Sequence, residues 1–218
     1  MKIKLTALLT ILLFCSIAAR AQVPVREEPR HKPVIQNKYI RLLDVWIPPG
    51  DTSLFHIHST PSLFLHFTDR NIASQIKGKD WVNEKTMAGK TWYRSFVNDT
   101  LIHRVSNVDS LPFHVTDIEI LSAYKPTAQL KPLPFTVLLD NEKAFGYQLT
   151  SSSFNKNNIN GRGPMIAELV SGKEVLFYDT EKKKSTPIKT GKYLYIKPGS
   201  SFYFSANTEV NLVLFEIK

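Results

Sequence analysis

The chain has 218 residues and a net charge of +9; 43% of its residues are hydrophobic, 22% are charged and 11% are aromatic. This composition excludes a fully disordered chain, since disordered chains are poor in apolar residues and rich in charge. Nine glycines and 13 scattered prolines also exclude a collagen-like chain and a long coiled coil. The positive charge forms no basic stripe and accompanies no nucleic-acid-reading motif, so nucleic acid is not an expected partner.

The first 21 residues have the three parts of a secretory signal peptide. Lys2 and Lys4 form a short basic start. An apolar run follows from Leu5 to Ala19, and Ala19-Arg20-Ala21 forms a cleavage site. The apolar run spans 15 residues, whereas a membrane-spanning helix needs about 20. We therefore predict cleavage before Gln22, export to the periplasm or the medium, and no membrane attachment afterwards. Cleavage would remove three positive charges and leave a net charge of +6.

Cys15 is the only cysteine, and it lies within this predicted signal. A lipoprotein signal ending at Cys15 is the alternative, but such signals normally have a small residue where Phe14 stands. Removal of Cys15 would leave a mature protein without thiols, which excludes disulfides, thiolate metal sites and cysteine nucleophiles. An exported protein of this kind is stabilised by its core alone.

The rest of the sequence has the pattern of a β protein. Residues 22–37 are polar and proline-rich, which predicts an extended lead-in. From Lys38 onward, short runs of alternating, β-branched or aromatic residues are separated by turn signals such as 48–51 and 107–110. No long segment has the 3.6-residue period of a helix, so we predict an all-β sandwich or barrel. The clearest predicted strands are Tyr39–Ile47, Leu54–His58, Ser62–Phe67, Trp92–Val97, Ile102–Val105 and His114–Ile120.

The second half of the chain repeats the first weakly, at an offset of 100 to 103 residues. Residues 89–93 (GKTWY) are echoed by 191–195 (GKYLY), and 61–64 (PSLF) by 164–167 (PMIA). A repeat of this length predicts two copies of one small β-domain. The predicted segments are a signal peptide at 1–21, a lead-in at 22–37, a first barrel at 38–125, a linker at 126–134 and a second barrel at 135–218.

Three histidines are candidate metal ligands. His56 and His58 alternate on one predicted strand, so both side chains project from the same face. Two imidazoles placed in this way can converge on one ion. His103, on a later predicted strand, is the candidate third ligand.

These residues resemble the two motifs of the cupin superfamily. Gly50, His56 and His58 match the opening G-x5-H-x-H of the first motif, and His103 with Asn107 matches the closing H-x3-N of the second. Cupins are jelly-roll β-barrels. The resemblance therefore implies an all-β fold of two tandem cupin-type barrels, in which the first barrel holds a metal ion.

The sequence departs from the first motif at the metal-binding glutamate, where Ser62 and Leu63 stand. The resemblance then implies a ligand set of three histidines without a carboxylate. Three-histidine sites occur in cupin-like enzymes such as gentisate dioxygenase. Neutral imidazoles suit a divalent transition metal, with Fe, Ni, Cu and Zn all acceptable.

The expected function is that of an exported, metal-dependent enzyme acting on a small-molecule substrate, with dioxygenase-like chemistry. One alternative is a non-catalytic cupin module that binds a small ligand or a sugar. Another is a hydrolase or hydratase in which zinc activates water. The resemblance also implies a homodimer, although no residue pattern fixes the oligomeric state.

Two further residues are candidates for a catalytic role. His66 shares a strand face with Ser62 and would lie deep in the barrel, either as a proton donor toward substrate or as an ordinary buried histidine. Arg94 shares a face with Trp92 and Phe96 and would either bind a substrate carboxylate or remain a surface charge.

The remaining titratable groups receive no site role from the sequence. His31 lies in the lead-in. Asp117 and Glu119 alternate with isoleucines, which predicts that these carboxylates face solvent on a half-buried strand. In the second copy, residues 159–161 (ING) align with the histidine pair and Tyr203 aligns with His103, so a second imidazole site is not expected.

Overall fold

A computed structural model describes residues 22–126, 129–154 and 158–218. The predicted signal peptide therefore lies outside the described residues. Within those residues, no helix is long and apolar enough to cross a membrane. They form 18 strands and two short 3-10 helices, at Val25–Glu27 and Ser151–Ser153.

Most of the predicted strands are present within a few residues of their predicted ends. In the first half of the chain the strands are β1 (Val23–Pro24), β2 (His31–Gln36), β3 (Ile40–Ile47), β4 (His56–His58), β5 (Ser62–His66), β6 (Asn71–Ile76), β7 (Trp81–Lys85), β8 (Thr91–Arg94), β9 (Leu101–Asn107) and β10 (Phe113–Ile120). In the second half they are β11 (Thr136–Asp140), β12 (Ala144–Thr150), β13 (Met165–Ser171), β14 (Glu174–Asp179), β15 (Lys184–Lys189), β16 (Tyr193–Ile196), β17 (Phe202–Ser205) and β18 (Asn211–Ile217).

The strands form two pairs of sheets. The first pair has the orders β2-β3-β10-β5-β8 and β1-β4-β9-β6-β7, and we call it the first barrel. The second pair has the orders β11-β12-β18-β13-β16 and β15-β14-β17, and we call it the second barrel. Because the strand order of the second pair follows that of the first, the repeat seen in the sequence has a counterpart in the topology.

The predicted lead-in is extended, and its strands belong to the sheets of the first barrel. β1 pairs with β4 in parallel, with Val23 opposite His56. β2 pairs with β3 in an antiparallel register, with His31 opposite Val45. Residues 22–37 therefore contribute to the wall around the histidines.

Three apolar clusters hold these sheets together. One fills the first barrel and includes Leu43 and Val115, and another fills the second barrel. The third lies between the sheet that contains β10 and the sheet that contains β18, where Ile118 and Phe215 are members of one cluster. β10 is consequently buried on both faces along its whole length.

The turn before β4 fixes the start of the histidine strand. Gly50 has a φ of +71°, a left-handed conformation that glycine adopts without steric cost. Its backbone N–H donates to the carbonyl of Asn107. The buried Asn107 side chain donates to the carbonyls of Ile47 and Leu111, both at 2.9 Å. Gly50 and Asn107 of the two motifs are thus structural residues that align β4 with β9.

Candidate metal centre

The three predicted histidines converge in the first barrel. His56 and His103 are directly opposite each other in the antiparallel β4–β9 pair, and His58 lies two residues further along β4 on the same face. One ring nitrogen from each histidine lies within 4.8 Å of the other two. The Nε2 atoms of His58 and His103 are 3.1 Å apart. The predicted cluster of three imidazoles is therefore confirmed.

Hydrogen bonding and burial prepare these imidazoles for a metal ion. The Nδ1–H of His56 donates to the carbonyl of Leu54 at 2.9 Å, which leaves the lone pair on Nε2. That Nε2 atom is buried and has no hydrogen-bond partner among the described residues. Burial and the neighbouring histidines lower the pKa of His103 to about 3, and that of His56 falls even further. Both rings are consequently neutral at neutral pH.

The spacing of the nitrogens fits a transition-metal ion. Two imidazole nitrogens bound to one ion at about 2.0–2.1 Å stand roughly 2.8–3.4 Å apart, from cis positions of an octahedron to those of a tetrahedron. The 3.1 Å separation between His58 and His103 lies in this range. Without an ion, two facing nitrogens can share only one proton, and the unpartnered Nε2 of His56 costs free energy. The donor set therefore fits a nitrogen-preferring divalent ion.

A fourth histidine, His31 on β2, lies beside the cluster. Its ring centroid is 4.5 Å from that of His56 and 6.4 Å from that of His58. Its Nδ1 lies 2.6 Å from Oε2 of Glu28, whose side chain is fully buried. Burial alone would raise the pKa of Glu28, but His31 and the backbone N–H groups of Leu54 and Arg30 lower it below its usual value. The sequence contained no signal for His31, because its position depends on how the lead-in folds back.

Asp117 also lies beside the cluster, and its predicted solvent-facing orientation is wrong. The residue is 1% exposed, and its Oδ2 atom lies 3.4 Å from Nδ1 of His58. Strand parity places Phe113, Val115 and Asp117 toward the first barrel, while Ile118 packs toward the second. Apolar residues occur at both odd and even positions of β10, and this pattern was the available signal in the sequence that both faces of the strand are buried.

The histidines open onto a cavity of about 140 Å³ with mainly apolar walls. The rings of Phe64 and Trp92 are stacked at 4.7 Å on one wall. The ring of Phe96 is stacked on His58 at 5.0 Å. Phe96 has a φ of +55°, a left-handed conformation that costs a non-glycine residue roughly 1 kcal/mol or more. The walls exclude water from most of the imidazole surface.

Comparisons with known proteins show which solved structures this architecture resembles. No protein-family model and no curated protein matches the sequence. Among solved structures, AerE from Microcystis aeruginosa has a TM-score of 0.57 at 14% identity, over 88% of this chain and 98% of AerE. A cupin 2 conserved barrel domain protein from Leptotrichia buccalis has a TM-score of 0.55 at 10% identity, over 86% of this chain and 88% of that protein. The salicylate 1,2-dioxygenase from Pseudaminobacter salicylatoxidans has a TM-score of 0.59 at 9% identity, over 88% of this chain and 77% of the enzyme.

The chain has the cupin fold. This confirms the all-β architecture of cupin-type jelly rolls that the two motifs predicted. Identities this low establish the fold and not the activity.

The departure of this chain from the first motif is visible in the structure. Ser62 is fully buried, and its hydroxyl donates to the carbonyl of Thr60 at 3.1 Å. The hydroxyl of the residue at the glutamate position is thus used in a local hydrogen bond. A carboxylate does approach the imidazoles, with Oδ2 of Asp117 at 3.4 Å from Nδ1 of His58, but it comes from β10 rather than β5.

The two candidate catalytic residues both line the cavity. His66 is buried against Trp92 and Phe113, and its Nδ1 has no hydrogen-bond partner among the described residues. Burial, with a smaller effect of Lys90, lowers the pKa of His66 to about 4. Arg94 lies at the rim, where its guanidinium covers the ring of Phe96 at 5.0 Å and pairs with the exposed Asp99 at 2.5 Å.

The second barrel has apolar residues where the first has the three histidines. Ile159 forms an isolated bridge with Phe202, in the topological place of the His56–His103 pair. Both residues belong to the apolar core of the second barrel. Phe202, rather than the predicted Tyr203, therefore occupies the position of His103.

Proposed function

We propose that this cupin is a metal-dependent enzyme whose His56, His58 and His103 hold one divalent transition-metal ion, with dioxygenase-like chemistry on a small molecule. The observation that carries the proposal is the convergence of three imidazoles, two of them with nitrogens 3.1 Å apart, in a buried cavity. Fe, Ni, Cu and Zn all accept such ligands. Export across a membrane stays a prediction from residues 1–21.

The protein residues bind and orient the reactants in this proposal. Three protein ligands leave coordination positions open for substrate. An ion in this site would supply Lewis acidity and, in the case of iron, reactivity toward O2. The aromatic walls exclude water and hold the substrate against the ion, while the carbonyl of Leu54 fixes the orientation of His56.

The cavity favours a small aromatic carboxylate as the substrate class. Phe64 and Trp92 offer flat apolar surfaces, and Arg94 offers a guanidinium at the rim. The present partner of Arg94, Asp99, is 80% exposed, and exposed ion pairs are weak. A substrate carboxylate can therefore replace Asp99. His66, neutral and unpartnered at Nδ1, is positioned to form a hydrogen bond with the substrate. The likeness in fold to a salicylate 1,2-dioxygenase, of which one variant structure contains gentisate, supports this class.

Metal analysis of the purified protein tests the proposal. We expect about one equivalent of bound ion after incubation with Fe(II), Ni(II), Cu(II) or Zn(II) separately. His56→Ala and His58→Ala should abolish binding and keep the β-sheet circular dichroism spectrum. His114→Gln is the matched control, because His114 is equally buried but faces away from the cluster, beside Asp44.

The outcome separates the candidate functions. Stoichiometric metal with O2 consumption in the presence of salicylate or gentisate supports a dioxygenase. Stoichiometric zinc with hydrolysis or hydration and no O2 uptake supports the zinc alternative. A folded wild-type protein that binds none of the four ions contradicts the proposal and leaves a non-catalytic binding module.

A further inference from the structure

Asp117 is a buried carboxylate without a hydrogen bond. It is 1% exposed, and neither Oδ1 nor Oδ2 has a hydrogen-bond partner among the described residues. Buried carboxylates are normally paired, because an unpaired one loses the free energy of its hydration without compensation. Its neighbour on the same face of β10, Glu119, is paired in this way with Arg41 at 2.7 Å. Packing alone therefore does not explain an aspartate at position 117.

The carboxylate of Asp117 lies beside the histidine cluster. Oδ2 of Asp117 lies 3.4 Å from Nδ1 of His58, which itself has no hydrogen-bond partner. The other nitrogen of that ring, Nε2, faces His103. A small approach of Asp117 would place the His58 proton on Nδ1 and leave the lone pair on Nε2, directed at the metal position. A carboxylate partner also makes an imidazole ligand more basic.

His56 provides the internal parallel. Its Nδ1–H donates to the carbonyl of Leu54, so that its Nε2 faces the cluster. Asp117 would orient His58 in the same sense, with a full negative charge in place of a carbonyl dipole. Asp117 is not one of the residues whose ligand atoms converge within 4.8 Å. The geometry therefore fits an orienting role through His58 better than direct ligation.

We propose that Asp117 is the positioning residue of this metal centre and supplies the negative charge that the missing glutamate of the first motif would have brought. The inference rests on the proposed function, since it requires an ion at the histidines. In this arrangement the charge reaches the centre from β10, through His58, and the coordination position of the absent glutamate stays open for substrate.

Two measurements test this role. One is zinc affinity, from competition with a chromophoric chelator, and the other is the stability of the metal-free protein toward urea. We expect Asp117→Asn to weaken Zn(II) binding by about 10–100-fold, the usual effect of losing a carboxylate partner of a histidine ligand. The metal-free variant should be at least as resistant to urea as the wild type, because an unpaired buried charge has been removed. Asp117→Ala gives the same comparison without any acceptor at this position. Glu119→Gln is the matched control and should leave zinc affinity within about twofold.

The Co(II) absorption spectrum gives a readout that is independent of activity. A reoriented His58 should change the ligand-field bands of Co(II) bound to Asp117→Asn, whereas the Glu119→Gln spectrum should match the wild type. Wild-type zinc affinity in both Asp117 variants would overturn the inference and leave the proposed function intact. Weaker affinity that is matched by an equal loss of metal-free stability would also overturn it, since that result indicates a structural residue. A wild-type protein that binds no metal would overturn the proposed function and this inference together.

Discussion

Individual side chains around the cluster are organised as histidine–acceptor pairs. His56 donates to a backbone carbonyl, His58 faces Asp117, and His31 is held by Glu28. The hydrogen bond of His56 fixes which of its ring nitrogens carries the proton, and a fixed tautomer is what a metal ligand requires. For His58, this role of Asp117 is the proposal made above. The hydrogen-bond partners of the histidines therefore determine whether the converged rings present lone pairs to an ion.

The Glu28–His31 pair leads to the first prediction, at the residue scale. His31→Ala should keep metal stoichiometry, because His31 is not one of the three converging ligands. It should destabilise the protein by about 1–3 kcal/mol, since it removes a partner of a fully buried carboxylate. Urea unfolding of the metal-free protein measures this loss. In the His31→Ala/Glu28→Gln double variant the two losses should be strongly non-additive; additive losses would show that the pair is not coupled.

At the scale of elements, β10 connects the metal centre with the interface between the barrels. Its residues alternate between Val115 and Asp117, which face the cavity, and Ile118 and Ile120, which pack in the apolar cluster shared with the second barrel. The strand pairs with β3 on one side and β5 on the other. Its hydrogen bonds are thus satisfied on both edges, and its position is firmly fixed.

The two faces of β10 should respond differently to substitution, which is the second prediction. Ile118 is 0% exposed and packs in the shared cluster, so Ile118→Ala should cost about 2–5 kcal/mol of unfolding free energy. Metal affinity of the folded variant should stay close to that of the wild type, the reverse of the Asp117→Asn pattern. Urea unfolding and the zinc competition assay, run on both variants, measure the contrast. A loss of metal affinity in Ile118→Ala as large as in Asp117→Asn would show that the two faces are not independent.

At the scale of the whole molecule, the interface between the barrels, which we call the seam, contains a buried carboxylic acid. Glu168 of β13 is fully buried, and its carboxylate oxygens have no hydrogen-bond partner among the described residues. Burial raises the pKa of Glu168 to about 8, with the hydroxyl of Thr116 opposing the shift and the charge of Asp44 adding to it. Thr116 and Asp44 belong to the first barrel, so this pKa depends on the packing of the two barrels against each other.

Stability should consequently fall with rising pH, which is the third prediction. Between the ordinary pKa of 4.5 and the folded value of about 8, the folded state binds more protons at Glu168 than the unfolded state does. The contribution of Glu168 to the free energy of unfolding is therefore fully present below pH 4.5 and is lost progressively up to about pH 8. The shift corresponds to a loss on the order of 5 kcal/mol.

Glu168→Gln isolates this effect. The difference in unfolding free energy between Glu168→Gln and the wild type should shift in favour of the variant from pH 5 to pH 9. Parallel stability curves for the two proteins over that range would contradict a buried, protonated Glu168. Thr180, whose hydroxyl is paired with Ser201 within the second barrel, offers Thr180→Ser as a control that should leave the pH dependence unchanged.

The sequence by itself determined the features that depend on neighbours within one or two strands. Alternation and turn residues predicted most strands of the first barrel, and the His-x-His and H-x3-N patterns predicted which three imidazoles meet. The strands are local features, because side chains alternate along a strand and a turn residue acts at its own position. The meeting of the three imidazoles followed from the resemblance to the cupin motifs. The cupin fold followed from the same motifs.

Only the tertiary structure decided which groups surround the imidazoles. Asp117 was predicted to face solvent because its alternation with isoleucines is typical of a half-buried strand, and only the packing of both barrels against β10 shows what covers each face. His31 joined the site because the lead-in pairs with β3. The protonation state of Glu168 likewise depends on the seam between the barrels. In each case the environment of a charge comes from elements distant in the chain, and local sequence does not encode the burial that results.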